Sequence, residues 1–250
     1  MMRIIKQHIK KMVFMLILLC AHGKLLSEPI SPQIVNGSAT INQISTTTSI
    51  NQSTNNLVIN WESFNVKADE TVNFIQPNNS SIALNRSIGL NGSEILGSLN
   101  ANGQVFIINP NGIVFGQDAQ VNVGGLVAST LNISDENFTN RSFSFEGEAG
   151  SITNKGTLTS STNGYIALLG SNVINEGEIN SPLGSNVLAS GDKITLDFAG
   201  DGLINLSVDQ ATLDAYVENK GVIKADGGQV LMTAYAKDSL FKTILNNEGV

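Results

Sequence analysis

Cysteine and histidine are almost absent from this sequence. Among 250 residues there are one Cys and two His, and all three (His8, Cys20 and His22) fall within the first 23 positions. Those positions read as an export signal. Arg3, Lys6, Lys10 and Lys11 form a basic start, Met12 to Cys20 a short apolar run, and Ala21-His22-Gly23 offers small residues for cleavage. The apolar run is too short to cross a bilayer as a helix, and bulky Leu19 ahead of Cys20 argues against a lipid anchor. Cleavage after Gly23 leaves a chain with no imidazole and no thiol. That removes His-based acid–base catalysis, Ser-His triads, Cys nucleophiles and the usual zinc ligands together. Disulfides go too, so stability outside the cell must come from burial and hydrogen bonding.

Charge is scarce as well, at 14 % of residues. Four of the 14 basic residues leave with the signal, so ten remain against 21 acidic ones and the mature chain carries −11. Nucleic acid and anionic lipid need a basic footprint and are poor candidates as partners. Proline occurs five times and tryptophan once, as Trp61, which reads as a core aromatic rather than a ligand platform. In place of these residues stand 30 asparagines and 24 glycines. Both are poor in helices and common in turns, so the chain reads as many short strands punctuated by Asn and Gly.

The central stretch is Gln104 to Gly116, QVFIINPNGIVFG. Val105 to Ile108 and Ile113 to Phe115 are β-branched and aromatic, and the tight turn Asn109-Pro110-Asn111-Gly112 separates them in the manner of a hairpin. Further strands are expected at Leu57–Val66, Thr71–Ile75, Ser80–Ile88 and Ala119–Val123. Asp135 to Arg141 reads as a short helix or loop. After Gly150 a repeat emerges. Asn154-Lys155-Gly156, Asn175-Glu176-Gly177, Asn219-Lys220-Gly221 and Asn247-Glu248-Gly249 share the form Asn–charge–Gly, at spacings of 21, 44 and 28. The middle spacing is twice 22, which implies a degenerate turn near Ser190. Strands at Tyr165–Leu169, Val187–Ala189, Ile194–Phe198, Leu203–Val208 and Gln229–Ala234 lie between the marks. A period of roughly 20–30 residues made of short strands predicts an all-β solenoid whose coils stack to bury their inner faces. Asn at equivalent corners would stack into amide ladders, and the following Gly would permit unusual corner dihedrals. About 220 residues at roughly 22 per coil predict some ten coils in a rod of about 45 Å, with the irregular N-terminal part as its cap.

From about Gln33 to Val250 the chain resembles the N-terminal secretion domain of filamentous-haemagglutinin-type exoproteins of two-partner secretion systems. Asn109-Pro110-Asn111-Gly112-Ile113 matches a signature motif of that domain, and Asn73 through Arg86 resembles its other motif region. The upstream Asn-Pro-Asn-Leu of some members is absent. Leu188 through Asp209 and Val217 through Ala234 complete the likeness. It implies an all-β fold, a right-handed single-stranded parallel β-helix with an N-terminal β cap and extra-helical hairpins. The expected division is a signal peptide at 1–23, a secretion domain with cap and first coils at 24–150, and further coils at 151–250, ending mid-coil. The resemblance also implies export by the general secretory machinery, then passage from the periplasm of a Gram-negative bacterium to the surface or medium. A cognate outer-membrane β-barrel transporter would bind the domain through its periplasmic domains. Candidate recognition residues are Asn109, Pro110, Asn111, Gly112 and Ile113, with Gln76, Pro77, Asn78, Asn85 and Arg86. Members serve as adhesins, haemagglutinins, haemolysins, haem-acquisition proteins or growth-inhibition toxins, and any host-cell or glycan ligand is expected to bind a downstream region.

A β-helix can also be a carbohydrate-active enzyme, a polysaccharide lyase or hydrolase. That chemistry needs grouped carboxylates, sometimes with Ca²⁺ and an Arg. Asp192, Asp197 and Asp201 form the best group, without calcium-loop spacing, and Arg86 and Arg141 are the only arginines after the signal. No catalytic, metal or cofactor site is expected.

Overall fold

A computed structural model describes residues 28–147, 150–198, 203–237 and 244–250. The expected export signal at 1–23 and Asp201 lie outside these residues. Three sheets form the body. The first contains β1 (Gln33–Asn36), β4 (Asn56–Trp61), β6 (Ile82–Ser87), β9 (Gln104–Ile108), β12 (Gly125–Ser129), β16 (Tyr165–Gly170), β19 (Ser185–Ser190) and β24 (Gln229–Ala234). The second contains β7 (Ser93–Ile95), β10 (Ile113–Phe115), β14 (Ser151–Asn154), β17 (Asn172–Asn175), β22 (Tyr216–Asn219) and β25 (Leu245–Asn247). In the third lie β2 (Ala39–Ile44), β3 (Thr47–Gln52), β5 (Thr71–Ile75), β8 (Ser98–Ala101), β11 (Gln120–Val123), β15 (Thr157–Ser160), β18 (Glu178–Asn180) and β23 (Val222–Lys224). The chain visits them in rotation, and every pairing between successive coils is parallel. This is a parallel β-helix with one strand of each sheet per turn.

Periodicity overestimated the coil number. The first and third sheets each hold seven strands in parallel register, from β4 to β24 and from β3 to β23, so the described residues show seven such coils rather than ten. Six steps of about 4.8 Å give a body of about 29 Å. Two parts of the chain never enter the stack. At the N-terminus β1 pairs antiparallel with β4, and β2 antiparallel with β3. These strands close the open sheet edges, the capping such a stack requires. The second part is a pair of excursions. Between β12 and β14 the chain forms α1 (Asp135–Thr139), capped by the Ser134 side chain, and β13 (Phe143–Glu146). Between β19 and β22 it forms the hairpin β20 (Lys193–Phe198) and β21 (Ile204–Gln210).

That hairpin explains the doubled spacing of 44. Asn175 pairs directly with Asn219 across β17 and β22. No degenerate turn exists near Ser190; the extra residues leave the solenoid at one corner and return to it. β13, β20 and β21 form a separate antiparallel sheet over the outer face of the first sheet. The protein therefore has two cores. The inner one runs down the axis through Trp61, Phe64, Phe74, Phe115, Leu126, Ile166 and Leu188. The outer one lies beneath the excursions. Phe106 is its hub, with ring centroids 5.8 Å from Phe138, 5.3 Å from Phe143 and 6.2 Å from Phe145. Because the first sheet is covered on both faces, β16 and β19 are buried at every position, which is why Ile166–Leu169 and Val187–Ala189 within them are uninterrupted apolar runs.

The corners hold the asparagine ladder expected of the repeat. Asn154 Nδ2 donates to Asn175 Oδ1 at 2.8 Å, Asn175 to Asn219 at 2.7 Å, and Asn219 to Asn247 at 2.8 Å. The glycines that follow serve a different purpose from the one expected. Gly156, Gly177, Gly221 and Gly249 are not among the residues with positive φ. A Cβ at Gly177 would instead sit 2.1 Å from the Gly156 carbonyl oxygen, and one at Gly221 2.0 Å from that of Gly177. Close stacking of coils, rather than backbone freedom, excludes a side chain.

Candidate functional site

The signature turn occupies the corner between the first and second sheets. β9 and β10 do not pair with each other; they lie in different sheets, so the stretch is a corner and not a hairpin. Gly112 N–H donates to Asn109 C=O at 3.1 Å, closing a β-turn with Pro110 and Asn111 at its centre. Gly112 has φ +113°, which favours Gly at the turn's last position. Asn109 is fully buried. Its Oδ1 accepts from Asn111 N–H at 3.0 Å, while its Nδ2 donates to Asn91 C=O and to Ser93 Oγ, both at 3.0 Å. One side chain thus shapes its own turn and fastens it to the Asn91-Gly92 turn of the coil before. Ile113 is buried in the inner core beside Ile152. Pro110 and Asn111 are exposed. Asn111 Nδ2 donates to Gly89 C=O at 3.0 Å. Beside the turn runs a shallow groove of about 710 Å³, bordered by Asn65, Ser93, Glu94, Asn111 and Thr153.

Gln76 sits at a different corner, where the third sheet hands over to the first. It is buried. Its Nε2 donates to Gln52 Oε1 at 3.0 Å, Ser81 C=O at 3.1 Å and Gln104 C=O at 3.2 Å, while Oε1 accepts from Gly103 N–H at 3.0 Å. Gln52 and Gln76 begin a column that continues upward as Gly103, Gly124, Gly164, Gly184 and Gly228. A Cβ on Gly103 would lie 2.7 Å from Gln76 Oε1, and on Gly184 1.9 Å from Gly164 C=O. Pro77 and Asn78 are exposed, and Asn78 Oδ1 accepts from Ser80 N–H at 3.0 Å, a local turn bond.

Asn85 and Arg86 lie one coil below the signature, on opposite faces of β6. Asn85 is buried in the inner stack and accepts from Trp61 Nε1 at 3.0 Å. Trp61 is fully buried, edge-on to Phe64 at 5.6 Å, as its reading as a core aromatic requires. Arg86 points outward and clamps the start of the first excursion. It donates to Ile133 C=O at 2.7 Å, Asp135 Oδ1 at 2.8 Å, Asn132 Oδ1 at 3.0 Å and Asn60 Oδ1 at 3.1 Å. Arg86 pairs in register with Ile108, so it borders the signature corner, whereas Gln76 to Asn78 stand at the far end of the same strand. The ten candidates form two groups separated by the width of a sheet.

The carboxylate group disperses. Asp192 is tied to Lys237 Nζ at 2.6 Å, Asp197 is exposed on β20, opposite Asn205, and Asp201 is outside the described residues. Among the described residues no three His, Cys, Asp or Glu side chains gather as a metal site. Reading by sequence missed the partners that make the site: Ser93 for Asn109, Gln52 and Asn102 for Gln76, and Asn132 and Asp135 for Arg86.

This β-helix matches a known architecture. Residues 29–250 match the family model described as TPS secretion domain, the secretion domain of two-partner secretion exoproteins. The chain belongs to the TPS secretion domain family. The crystal structure of the HMW1 secretion domain from Haemophilus influenzae superposes with a TM-score of 0.77 and 37 % identity, covering 87 % of this chain and 57 % of that one. A heme/hemopexin-binding protein of Haemophilus influenzae is 33 % identical over 219 residues, covering 84 % of this chain and 24 % of the relative. A second protein of that name is 32 % identical over 258 residues, covering 92 % and 28 %. The chain thus spans about a quarter of the length of the curated relatives it matches. TPS secretion domains serve secretion targeting, and exoproteins that carry them leave Gram-negative bacteria through the periplasm and a cognate outer-membrane transporter.

Proposed function

We propose that this TPS secretion domain directs its own chain to a cognate outer-membrane β-barrel transporter, whose periplasmic domains bind it before it folds, and that it then nucleates a β-helix at the cell surface. The observation that carries this reading is the placement of the signature. Asn109 and Ile113 are buried and bonded within the folded corner, so only an unfolded chain offers the whole motif to a partner. Once folded, the same residues lock two successive coils. Gln76, Asn85 and Arg86 are likewise consumed by bonds within the chain. Pro110, Asn111, Pro77 and Asn78 remain at the surface. No catalytic role accompanies this. The dispersal of Asp192 and Asp197 and the ion pair that occupies Asp192 speak against a polysaccharide lyase or hydrolase.

The test is secretion from cells that co-express the transporter, with capture of the unfolded chain on its periplasmic domains. If Asn109 acts in the fold, Asn109→Ala is captured at wild-type affinity but arrives outside in a protease-sensitive form. If it acts in recognition, capture fails. Wild-type capture and wild-type protease resistance together would remove the signature from both roles.

A further inference from the structure

The two arginines that follow position 23 are both spent on the first excursion. Asn132 and Glu146 exchange backbone hydrogen bonds of 3.1 and 2.8 Å, so the segment between them is a closed loop carrying α1 and β13. Arg86 holds the start of this loop through Asn132, Ile133 and Asp135. Arg141 holds its far side, with Nη2 donating to Ser80 C=O at 2.9 Å. Asn56, in register with Ile82, donates to Thr139 C=O at 3.4 Å. From Asn132 to Arg141 the chain therefore runs back along β6 as a strap, from Arg86 near the end of that strand to Ser80 just before its start.

Between these anchors Phe138 is fully buried. It packs in the outer core with Ile82 and Leu84 of β6, whereas Ala83 belongs to the inner core. Ile82, Leu84 and Arg86 thus share the face of β6 that the strap covers. The strap meets this face with an aromatic ring for the two aliphatic side chains and a carboxylate, Asp135, for the guanidinium. Without the strap, β6 presents an apolar patch with a cation at one end, and Arg86 keeps only Asn60 of its own sheet. The same three residues also fall on one side of an unfolded segment when it is bound extended, because alternate side chains of a strand point the same way.

We infer that the strap is an intramolecular competitor for the face of β6 that the transporter's periplasmic domains bind, so that its closing releases the chain. This rests on the reading of the domain as a transporter ligand. Ile82, Leu84 and Arg86 lie in the stretch Asn73 to Arg86 that resembles a motif region, and the strap supplies what a partner for them needs, an apolar surface and an acidic group. Being tethered, it acts at high effective concentration and displaces a partner that makes comparable contacts. Retention of the unfolded chain and its release on folding then use one surface in turn.

The experiment unfolds the chain in urea, captures it on immobilised periplasmic domains of the transporter, and records its release on return to buffer. Refolding of the free chain is followed in parallel by the fluorescence of Trp61, which lies in the inner core on the other side of the sheet. Asp135→Ala combined with Arg141→Gln removes strap anchors and leaves β6 unchanged. This double variant should be captured as tightly as wild type and should bury Trp61 at the wild-type rate. Its release should be about tenfold slower, the factor expected when a charge-assisted hydrogen bond is lost. Leu84→Ser should weaken capture itself about tenfold, and its effect on folding does not enter, because the captured chain is unfolded. Release of the double variant at the wild-type rate overturns the inference. So does a slowing of Trp61 burial in the same proportion, which makes the strap part of coil folding, or unchanged capture of Leu84→Ser. If wild type itself is not captured, the transporter reading falls and the competition falls with it.

Discussion

At the residue scale this protein depends on buried amides. Asn109, Gln76, Asn85 and the Asn154, Asn175 and Asn219 members of the ladder place primary amides where other solenoids could place aliphatics. Each is tolerated because its side chain is hydrogen-bonded to backbone, to another amide, or to the Ser93 hydroxyl or Trp61 indole. Their removal is costly for the same reason. Asn109→Ala strips Asn91 C=O, Ser93 Oγ and Asn111 N–H of their partner, and an unsatisfied buried group costs about 1–3 kcal/mol. The thermal midpoint should fall by several degrees, while Pro110→Ala, one exposed residue away, should stay within about 0.5 kcal/mol of wild type. Calorimetry of the two variants checks the contrast. Glu218 supplies a second prediction at this scale. Its side chain is nearly buried on β22. The Lys220 ammonium at 2.7 Å holds its carboxyl below the usual range, helped by Tyr216 and Asn246, against the opposing effect of burial. A depressed folded pKa contributes stability above the ordinary Glu range and loses it as pH falls through the folded value. The midpoint advantage of wild type over Glu218→Gln should therefore be constant near neutrality and close between about pH 5 and pH 3. An advantage that persists at the acid end would mean that packing, not charge, carries Glu218.

At the scale of elements, the determinants are the columns where successive coils touch. Gly177→Ala places a methyl group about 2.1 Å from the Gly156 carbonyl oxygen, and backbone cannot yield as a flexible side chain can. The two coils must part. Limited proteolysis should then cut the chain near residue 177 while leaving the region from β4 to β12 intact. Gly147→Ala is the contrast: its Cβ meets nothing closer than 4.0 Å, although its φ of +144° makes the change unfavourable on other grounds. Sequence made some columns visible and hid others. Asn–charge–Gly was legible because each copy is contiguous and carries a charge. The column Gly103, Gly124, Gly164, Gly184 and Gly228 was not, because its neighbours share no motif and its first members are Gln52 and Gln76, whose side chains fill the same corner. Strands facing two cores, such as β16 and β24, were found from their apolar runs. Half-exposed strands such as β15 and β18 were missed, being three or four residues of Thr, Ser, Glu and Asn around one buried apolar residue. The hairpin β20–β21 was seen as two strands yet misplaced, since nothing in its composition separates an excursion from a coil. The Asn109–Gly112 turn is legible in the sequence, but the burial of Asn109 is not, because an Asn-Pro-Asn-Gly turn reads as solvent-exposed until its Asn91 and Ser93 partners are known.

At the scale of the whole molecule, a solenoid is stabilised by neighbours, so its stability should vary along its axis. The N-terminal end is closed by antiparallel strands, and the outer core beneath α1, β13 and β20–β21 covers β6, β9, β12, β16 and β19 on a second face. Among the described residues the last strands β23, β24 and β25 each pair with one other strand. Amide exchange should therefore be slowest in β9, β12 and β16 and fastest in β23 and β25. Arg86→Ala tests whether the outer core belongs to the same cooperative unit. It removes three donor bonds that fix Asn132, Ile133 and Asp135 to the sheet, and a fourth to Asn60 within it. If the excursions are only a cover, exchange should quicken in α1 and β13 while β9 and β12 keep their protection. If the outer core is part of the folding nucleus, protection should fall together across all these strands. The signature corner lies where the two regions meet, with Arg86 in register beside Ile108. A collective loss would mean that the two motif regions cooperate in one step, the closing of the first coils around Asn109. A chain with a single cysteine must complete that step through burial and hydrogen bonding alone.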